Sequence, residues 1–224
     1  MKAMILAAGR GERMRPLTDA LPKPLLAVHG KPLIVHHLEA LARAGVRDVV
    51  INLAWLGAKI RAALADGRAW GLHIEYSDEG EVACETGGGI HRALPLLGDA
   101  PFLVVNGDVW TEFDFAHLAL DAGADAHLVL VPSPPQHAHG DFTLDGRYVG
   151  EDNAPQARRY TYSGLGVYRP GFFAGCLPGR FPLLPLLRRA IAARRLTGEL
   201  YTGPWQDIGT PERLAALDAA VPVT

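Results

Sequence analysis

A short stretch near the start of the chain combines glycines and cations in a way that suits phosphate binding. Gly9 and Gly11 follow a short apolar segment, and Arg13 and Lys23 come soon after them. Glycines directly after a strand let the backbone approach a phosphate and point its N–H groups at the oxygens. Cationic side chains stabilise the charge that accumulates on a transferred phosphorus and on a departing pyrophosphate. The stretch therefore predicts a triphosphate site.

Two common phosphate-binding motifs do not fit this stretch. The Walker pattern requires Gly-Lys-Ser/Thr, and no such sequence follows Gly11. The dinucleotide fingerprint requires a further glycine where this chain has Met14. Taken alone, the Gly-x-Gly spacing is equally typical of an ordinary tight turn.

A second stretch, FLVVNGD at residues 102–108, ends in a carboxylate that could bind a metal. The apolar run predicts a buried strand with Asp108 at its carboxyl end. Open α/β sheets bind ligands at that end of their strands. Magnesium favours carboxylate and phosphate oxygens, so Asp108 is a candidate magnesium ligand. The alternative is an ordinary turn residue after Gly107.

The overall composition restricts the partners of the protein. The formal net charge is −2 over 224 residues, so no basic field attracts nucleic acid or an anionic membrane. No apolar run approaches the ~20 residues of a membrane span. Cys84 and Cys176 do not make a disulfide framework. We therefore expect a cytoplasmic protein that acts on small molecules and has no obligate protein partner.

Apolar strands alternate with helical segments over the first 133 residues. We predict strands at 3–8, 48–53, 72–77, 102–108 and 126–131, and helices at 31–45, 54–66, 87–97 and 115–123. Continuous apolar strands joined by helices are typical of a sheet covered on both faces. The pattern predicts an α/β fold with a Rossmann-like, mostly parallel mixed sheet and helices on both faces.

From residue 134 the pattern changes. We predict a hairpin at 140–152, a strand at 159–170, a helix at 181–195, a short strand at 198–203 and a closing helix at 210–221. Thr210 is expected to cap the closing helix, with Pro211 at its first position. The chain shows no linker and no internal repeat, so we expect one domain over residues 1–224.

Two motifs identify a family resemblance. LAAGRGERMRPLTDALPKPLLAVHGKPL at residues 6–33, together with WQDIGTPERL at 205–214, resembles the signature of the sugar-1-phosphate nucleotidyltransferase family. The resemblance implies a nucleotidyltransferase or GT-A-like fold. It also implies an enzyme that joins a nucleoside triphosphate to a sugar 1-phosphate, with release of pyrophosphate, in a single in-line displacement. Residues 1–133 would then mainly bind the nucleotide, and residues 134–224 would bind the sugar and supply a second metal ligand.

The resemblance assigns roles to residues of the first motif. Ala8 and Gly9 would line the nucleoside. The nucleotide phosphates would be held by Gly11, Glu12, Arg13 and Lys23. Arg13, Lys23 and Asp108 would be catalytic. Asp207 would join Asp108 in binding magnesium, and the alternative for Asp207 is capping at the helix entry.

The family usually reads the base with the segment between the third strand and the following helix. The resemblance implies this role for residues 77–94, SDEGEVACETGGGIHRAL. Uracil offers one N–H donor and two carbonyl acceptors. Glu79 or Glu85 could accept from the N–H, while Gly87 and Gly88 could donate. This segment departs from the common pattern of the family, and the glycines are equally suited to close packing of the helix.

The resemblance also assigns sugar-binding residues. Asn106, Gly140, Glu151 and Asn153 would contact the sugar, and Glu151 would accept hydrogen bonds from its hydroxyls. Many relatives carry Lys after this Glu to hold the sugar phosphate, whereas this chain has Asp152. The departure implies that the phosphate is held by other groups.

The resemblance favours transfer of a uridylyl group from UTP to an amino-sugar 1-phosphate, with magnesium as cofactor. An acidic group on the sugar would need a cation such as Arg158, Arg159 or Arg169. Guanylyl, cytidylyl or thymidylyl transfer are alternatives within the family. From a different class, a sensor that binds nucleotide sugars without turnover is also compatible, although the intact Arg13, Lys23, Asp108 and Asp207 argue against it.

Overall fold

The computed structural model describes residues 1–152, 154 and 156–220. The strands are β1 (Ala3–Leu6), β2 (Ala27–Val28), β3 (Lys31–Pro32), β4 (Asp48–Leu53), β5 (His73–Asp78), β6 (Phe102–Asn106), β7 (Val109–Thr111), β8 (Ala126–Pro132), β9 (Phe142–Asp145), β10 (Tyr148–Gly150), β11 (Arg159–Tyr168), β12 (Leu196–Leu200) and β13 (Trp205–Asp207). The α-helices are α1 (Leu17–Ala20), α2 (Leu33–Arg43), α3 (Gly57–Leu64), α4 (Glu85–Leu97), α5 (Leu184–Ala192) and α6 (Pro211–Ala219).

Nine strands form one sheet in the order β5-β4-β1-β6-β11-β8-β12-β10-β9. The strands β5, β4, β1 and β6 are mutually parallel, while β11 is antiparallel to both β6 and β8. The strand β12 is parallel to β8, and β10 is antiparallel to β12 and β9. Within this sheet only β10 and β11 therefore run against the other strands. The predicted mostly parallel mixed sheet is confirmed.

Helices cover both faces of the sheet because the side chains of each strand alternate between two cores. Ala3 and Ile5 of β1 belong to one core, which α2 and α3 cover, whereas Met4 belongs to the other, which α4 and α5 cover. Apolar strands without polar alternation are expected where both faces are buried. The sequence pattern and the layered packing therefore agree.

The far end of the sheet curls back on itself. The strand β9 pairs with β10 and also with β11, so that β11, β8, β12, β10 and β9 form a closed set. Closure pairs the backbone groups that an edge strand would leave open. Because β11 also pairs with β6, this closed set is continuous with the parallel part of the sheet.

One predicted helix is wrong. The segment 115–123 forms only a single 3₁₀ turn, Phe115–His117, and the chain then continues without helical structure. Of this segment only Phe115 and Leu118 are buried, so no buried apolar face continues along it to support a helix. The guanidinium of Arg169 binds the end of the segment by donating hydrogen bonds to the carbonyls of Asp121, Ala122 and Ala124. The last predicted strand also lies earlier than expected, at Leu196–Leu200.

No helix in the described part of the chain is both long enough and apolar enough to cross a bilayer.

Candidate active site

The site begins where two central parallel strands end side by side. Leu6 at the end of β1 pairs with Asn106 at the end of β6. The glycine stretch continues from β1, and Asp108 follows β6 by two residues. Ligands of open α/β sheets are expected at this edge. The fold therefore brings the two candidate motifs of the sequence to the same place.

Hydrogen bonds from the chain itself hold the glycine stretch in shape. Gly11 has a φ of +63°, and its carbonyl accepts from the N–H of Met14 and from the hydroxyl of Thr18, both at 2.8 Å. A Cβ at Gly11 would lie 3.0 Å from a methyl carbon of Thr18. Trp55 in turn donates to the carbonyl of Thr18 at 3.1 Å. The loop is pre-shaped, and Gly9, with no atom within 4 Å of a Cβ placed there, faces open space.

A cleft of about 490 Å³ lies over this loop. The residues predicted from the sequence that line it are Ala8, Gly9, Gly11, Glu12, Arg13, Lys23, Glu79, Glu85, Asn106 and Asp108. The first motif and the end of β6 thus face a common space. Its volume lies within the range of small-molecule sites, ~300–1,000 Å³.

Lys23 and Asp108 form an ion pair at the floor of the cleft. The Nζ atom of Lys23 donates to Oδ2 of Asp108 at 2.7 Å. Lys23 stands in the 3₁₀ turn Lys23–Leu25 and its side chain is 9% exposed, whereas that of Asp108 is 41% exposed. The buried stem fixes the ammonium group, while the carboxylate remains open toward a ligand. A phosphate entering the cleft would meet this fixed cation.

Asp207 is brought beside Asp108 by a two-stranded ribbon. In the antiparallel pair of β7 and β13, Asp207 stands opposite Val109, and the N–H of Ile208 donates to the carbonyl of Asp108 at 3.0 Å. The carboxylate of Asp207 accepts a 2.5 Å hydrogen bond from Arg213. This long-range pairing places together two carboxylates that are far apart in sequence.

The two aspartates fit a magnesium ion in donor chemistry. Magnesium is bound through one or two carboxylates, with substrate phosphates and water completing its octahedron. No cluster of three or more His, Cys, Asp or Glu side chains suited to a metal occurs in the described ranges, so a site closed entirely by protein ligands is not present there. Lys23 contacts Oδ2 of Asp108 and Arg213 contacts Oδ2 of Asp207, so the Oδ1 atom of each carboxylate is left for a cation that also binds a substrate.

A second cleft of about 350 Å³ adjoins the first. The two clefts share Arg13, Asn106 and Asp108, so these residues stand at their boundary. The other residues that line the second cleft are Val109, Pro134, Gln136, His137, Thr161, Tyr162, Ser163, Trp205, Asp207 and Arg213. Sequence reasoning missed most of this wall, although Arg213 lies within the quoted motif WQDIGTPERL.

A bulge in β11 makes room for Asn106 at the boundary. The register of β11 against β8 shifts between Tyr162 and Leu165. Gly164 in this bulge has a φ of +83°, and a Cβ there would lie 2.7 Å from three side-chain atoms of Asn106. Ser163 stabilises the bulge by donating to the carbonyl of Val129 at 2.7 Å. The position of Asn106 therefore depends on a glycine in the neighbouring strand.

We expect Gly164→Ala to lower both stability and activity. The methyl group would meet Asn106 in a left-handed backbone conformation, and overpacking of this kind costs about 1–3 kcal/mol. Gly146→Ala is the matched control, because Gly146 also has a positive φ of +56° but no atom within 4 Å of a Cβ. Urea unfolding and initial rates of both variants check this. Unchanged stability and initial rates in Gly164→Ala would contradict the placement of Asn106 by this glycine.

The structure places Gly88 outside the cleft, which corrects one prediction. Its N–H, expected to donate to the base, donates to the carbonyl of Phe181 at 3.0 Å. A Cβ at Gly88 would lie 2.2 Å from the carbonyl oxygen of Gly179. The glycine therefore serves close packing of α4 against the segment around Phe181, which is the alternative that the sequence left open.

The two candidate base acceptors differ in their surroundings. Glu79 is 8% exposed. Its carboxylate accepts from Asn52 at 2.6 Å and from the N–H of Cys84 at 2.5 Å. Asn52 also accepts from the N–H of Ala7 at 2.7 Å, which ties this network to the first loop. Glu85 is exposed at the cleft and pairs with Arg180 at 2.9 Å. Glu79 thus supports the loop in addition to lining the cleft.

The predicted sugar residues are only partly brought together. Asn106 lines both clefts, whereas Gly140 and Glu151 line neither of them. Glu151 pairs with Arg188 of α5 at 2.9 and 3.1 Å, so its carboxylate is engaged by the protein rather than aimed at a sugar. Gly140 is buried, and a Cβ there would meet the hydroxyl of Ser133 and the backbone of Tyr160. Asn153 lies outside the described residues.

The three arginines proposed to meet an acidic sugar group are also placed elsewhere or engaged. Arg169 follows Tyr168, which pairs with Phe102 at the opposite end of β6 from the site. Arg159 donates to the carbonyls of His139, Asp141 and Asp152. Arg158 lies over the ring of Tyr160, 5.4 Å from its centre. None of the three lines the second cleft.

A buried histidine supports the strand that follows Asp108. His37 of α2 is 2% exposed, and its Nε2–H donates to the carbonyl of Val109 at 2.8 Å. Burial lowers the pKa of His37 to about 4, and nearby His36 lowers it further, while the Val109 carbonyl and Asp108 oppose the shift. The neutral ring is therefore the form that belongs to the folded protein at neutral pH.

We expect His37 to make the protein less stable as pH falls. The folded pKa is below the unfolded value of 6.5, so its contribution is complete above pH 6.5 and is lost between pH 6.5 and about 4. At pH 5 the loss should be about 2 kcal/mol, since each pKa unit corresponds to ~1.4 kcal/mol. Urea unfolding at pH 7.5 and 5.0 tests this in the wild type, His37→Gln and the exposed control His73→Gln. Equal pH slopes for wild type and His37→Gln would refute the assignment.

The fold and the clefts define a class of protein: an α/β protein with a candidate ligand site at the carboxyl end of its central parallel strands. The sequence comparison gives the family. The nucleotidyl transferase family profile matches residues 2–151, and the chain belongs to this family.

Relatives match along nearly the whole chain. An N-acetylmuramate alpha-1-phosphate uridylyltransferase of Neisseria meningitidis serogroup B is 51% identical over 227 residues, which cover 98% of this chain and 97% of the relative. A protein of the same name from Caulobacter vibrioides is 39% identical, over 97% of this chain and 95% of its own. A Bacillus anthracis crystal structure assigned as a glucose-1-phosphate thymidylyltransferase superposes with a TM-score of 0.84 at 22% identity, over 98% of this chain and 94% of its own. The last match supports the fold alone.

Proposed function

We propose that the protein transfers a uridylyl group from UTP to N-acetylmuramic acid α-1-phosphate, forming the UDP-sugar and pyrophosphate. The observation that carries the proposal is the junction of two clefts at Arg13, Asn106 and Asp108. One cleft has a glycine and cation loop suited to a triphosphate, and the other opens beside the two aspartates. The relatives from Neisseria meningitidis and Caulobacter vibrioides support the choice of nucleotide and sugar.

The chemistry is a single displacement at the α-phosphorus of UTP. An oxygen of the sugar phosphate forms the new P–O bond, while the bond to the β-phosphate oxygen breaks and its electron pair leaves with pyrophosphate. Lys23 and Arg13 both line the first cleft. In this proposal Lys23 stabilises charge on the α-phosphate, and Arg13 stabilises the pyrophosphate. Asp108 and Asp207 would hold a magnesium ion, which supplies positive charge at the phosphate oxygens when bound.

The supporting groups have simpler roles in this proposal. Ala8 and Gly9 flank the nucleoside, and Gly11 and Glu12 shape the phosphate loop. Glu79 holds the first loop through Asn52 and Ala7. Residues 1–133 then mainly bind the nucleotide, and the later part contributes the sugar wall and Asp207. The free Cys84 and Cys176 support a reducing, cytoplasmic location.

Pyrophosphate release is the direct test. The purified protein with magnesium is incubated with UTP, GTP, CTP, ATP or dTTP, each against N-acetylmuramic acid 1-phosphate and N-acetylglucosamine 1-phosphate. We expect release with UTP and the muramic substrate. Release only with another pair would retain the family chemistry and overturn this substrate assignment. Binding of a UDP-sugar without turnover of any pair would instead favour a sensor.

A further inference from the structure

Arg213 stands at the inner wall of the second cleft in a tightly constructed setting. It is the third residue of α6, and the hydroxyl of Thr210 accepts from its N–H at 3.4 Å. Its Nη1 donates to Oδ2 of Asp207 at 2.5 Å and to the Asp207 carbonyl at 3.2 Å. The side chain is 21% exposed and lines the cleft. The backbone of Arg213 is thus held by Thr210, and its guanidinium is held by Asp207.

Gly209 leaves the space that the guanidinium of Arg213 occupies. A Cβ at Gly209 would lie 2.5 Å from Nη2 of Arg213 and 2.9 Å from Cζ. Gly209 lines the first cleft and Arg213 lines the second, so the guanidinium lies beside the junction of the two. A side chain at residue 209 would displace the guanidinium from this position.

A phosphate bound at the junction of the two clefts requires a cation, and Arg213 can supply it. A sugar 1-phosphate entering the second cleft brings negative charge close to Asp108 and Asp207. Among the described residues of the second cleft, the arginines are Arg13 and Arg213, and Arg13 also borders the triphosphate cleft. Arg213 is therefore the cation best placed for the second phosphate.

We propose that Arg213 binds the phosphate of the sugar 1-phosphate while its Nη1 holds Asp207. The planar guanidinium can serve both anions because its five N–H groups point in fixed, separate directions. The inference rests on the proposed function, since it assigns a binding group within that site. It places recognition of the second substrate on the same side chain that orients a metal ligand.

The test uses Arg213→Met and Arg213→Lys, with Arg195→Met as matched control. Arg195 also closes an Arg–Asp pair, with Asp125 at 2.5 and 2.7 Å, but it lines neither cleft. We expect KM for the sugar 1-phosphate to rise about 10- to 100-fold in Arg213→Met, the range for loss of a charged hydrogen bond. Arg213→Lys should give an intermediate rise, and KM for UTP should stay within about twofold in both.

A binding measurement separates this role from a purely positional one. Calorimetric titration of sugar 1-phosphate into enzyme saturated with a non-hydrolysable UTP analogue and magnesium should show the same loss of affinity. If only the magnesium concentration for half-maximal rate changes, Arg213 merely positions Asp207 and the proposal is overturned. Unchanged sugar affinity in Arg213→Met, the variant that removes the charge, would also overturn it. Inactivity of the wild type on every substrate pair would refute the proposed function instead.

Discussion

Replacing Lys23 with methionine should reduce kcat for pyrophosphate release by about 100- to 1,000-fold, the range seen when one stabilising donor is removed from an active site. The ammonium group is held by a buried stem at 2.7 Å from Asp108 and faces the first cleft. Methionine fills a similar volume without charge. Its effect should therefore fall on the rate rather than on the fold. Steady-state kinetics with the proposed substrates give the measurement.

Lys31→Met is the matched control for this variant. Lys31 also forms a lysine–carboxylate pair, with Glu39 at 2.6 Å, but it does not line either cleft. The control should keep kcat within about twofold of wild type, because Lys31 lies outside both clefts. Its loss should also change stability little, since an exposed pair contributes only ~0–1 kcal/mol. A Lys23→Met enzyme with near wild-type kcat would remove Lys23 from the catalytic set. Thermal unfolding of the Lys23→Met enzyme should be recorded to separate misfolding from a loss of catalysis.

Asp207→Asn should reduce kcat by about 100- to 10,000-fold, since a metal ion that stabilises a transition state contributes several kcal/mol. The amide keeps the shape of the side chain and its place in the ribbon opposite Val109. It removes the negative charge that a magnesium ion requires. The magnesium concentration needed for half-maximal rate should rise at the same time, and a metal titration of the initial rate measures both changes.

Asp125→Asn provides the corresponding control. Asp125 also pairs with an arginine, Arg195, and lies just before β8 at the opposite end of the sheet from the site. Its rate and metal dependence should match those of wild type. If Asp207→Asn also behaves like wild type, Asp207 is a structural residue at the entry of α6 and the two-aspartate metal site is wrong.

Local features of the chain were the most predictable. The phosphate loop is nearly contiguous in sequence, so the glycines and cations that line the cleft could be named together. Asp108 follows an apolar strand directly, and its place at the sheet edge follows from that strand alone. The predicted helix at 115–123 failed because burial ends at Leu118, and Arg169, which stands far along the chain, binds the carbonyls that follow. The periodicity of a sequence does not predict contacts between residues that are far apart in the chain.

Side-chain orientation was the least predictable part of the site. A glycine-rich segment indicates close approach, but it does not tell whether Gly88 faces a base or the carbonyl of Phe181. Glu151 has the chemistry of a sugar acceptor, yet Arg188, which is 37 residues away, occupies its carboxylate. Arg213 follows a proline and a glutamate at a helix start, where a charged residue normally indicates a solvated surface. Its role depends on the ribbon of β7 and β13.

Because the ribbon contains β13, which is near the end of the chain, the site is completed late during synthesis. Residues up to Leu200 complete the nine-stranded sheet, and the phosphate loop is translated long before that. Asp207 emerges afterwards and is anchored with α6 through a separate small core that contains Met14, Ile208 and Leu217. A nascent chain that ends before Asp207 would therefore lack the second aspartate, Gly209 of the first cleft, and the residues against which Met14 packs. Such a chain is expected to show no turnover, so activity begins only after the ribbon closes and α6 has packed.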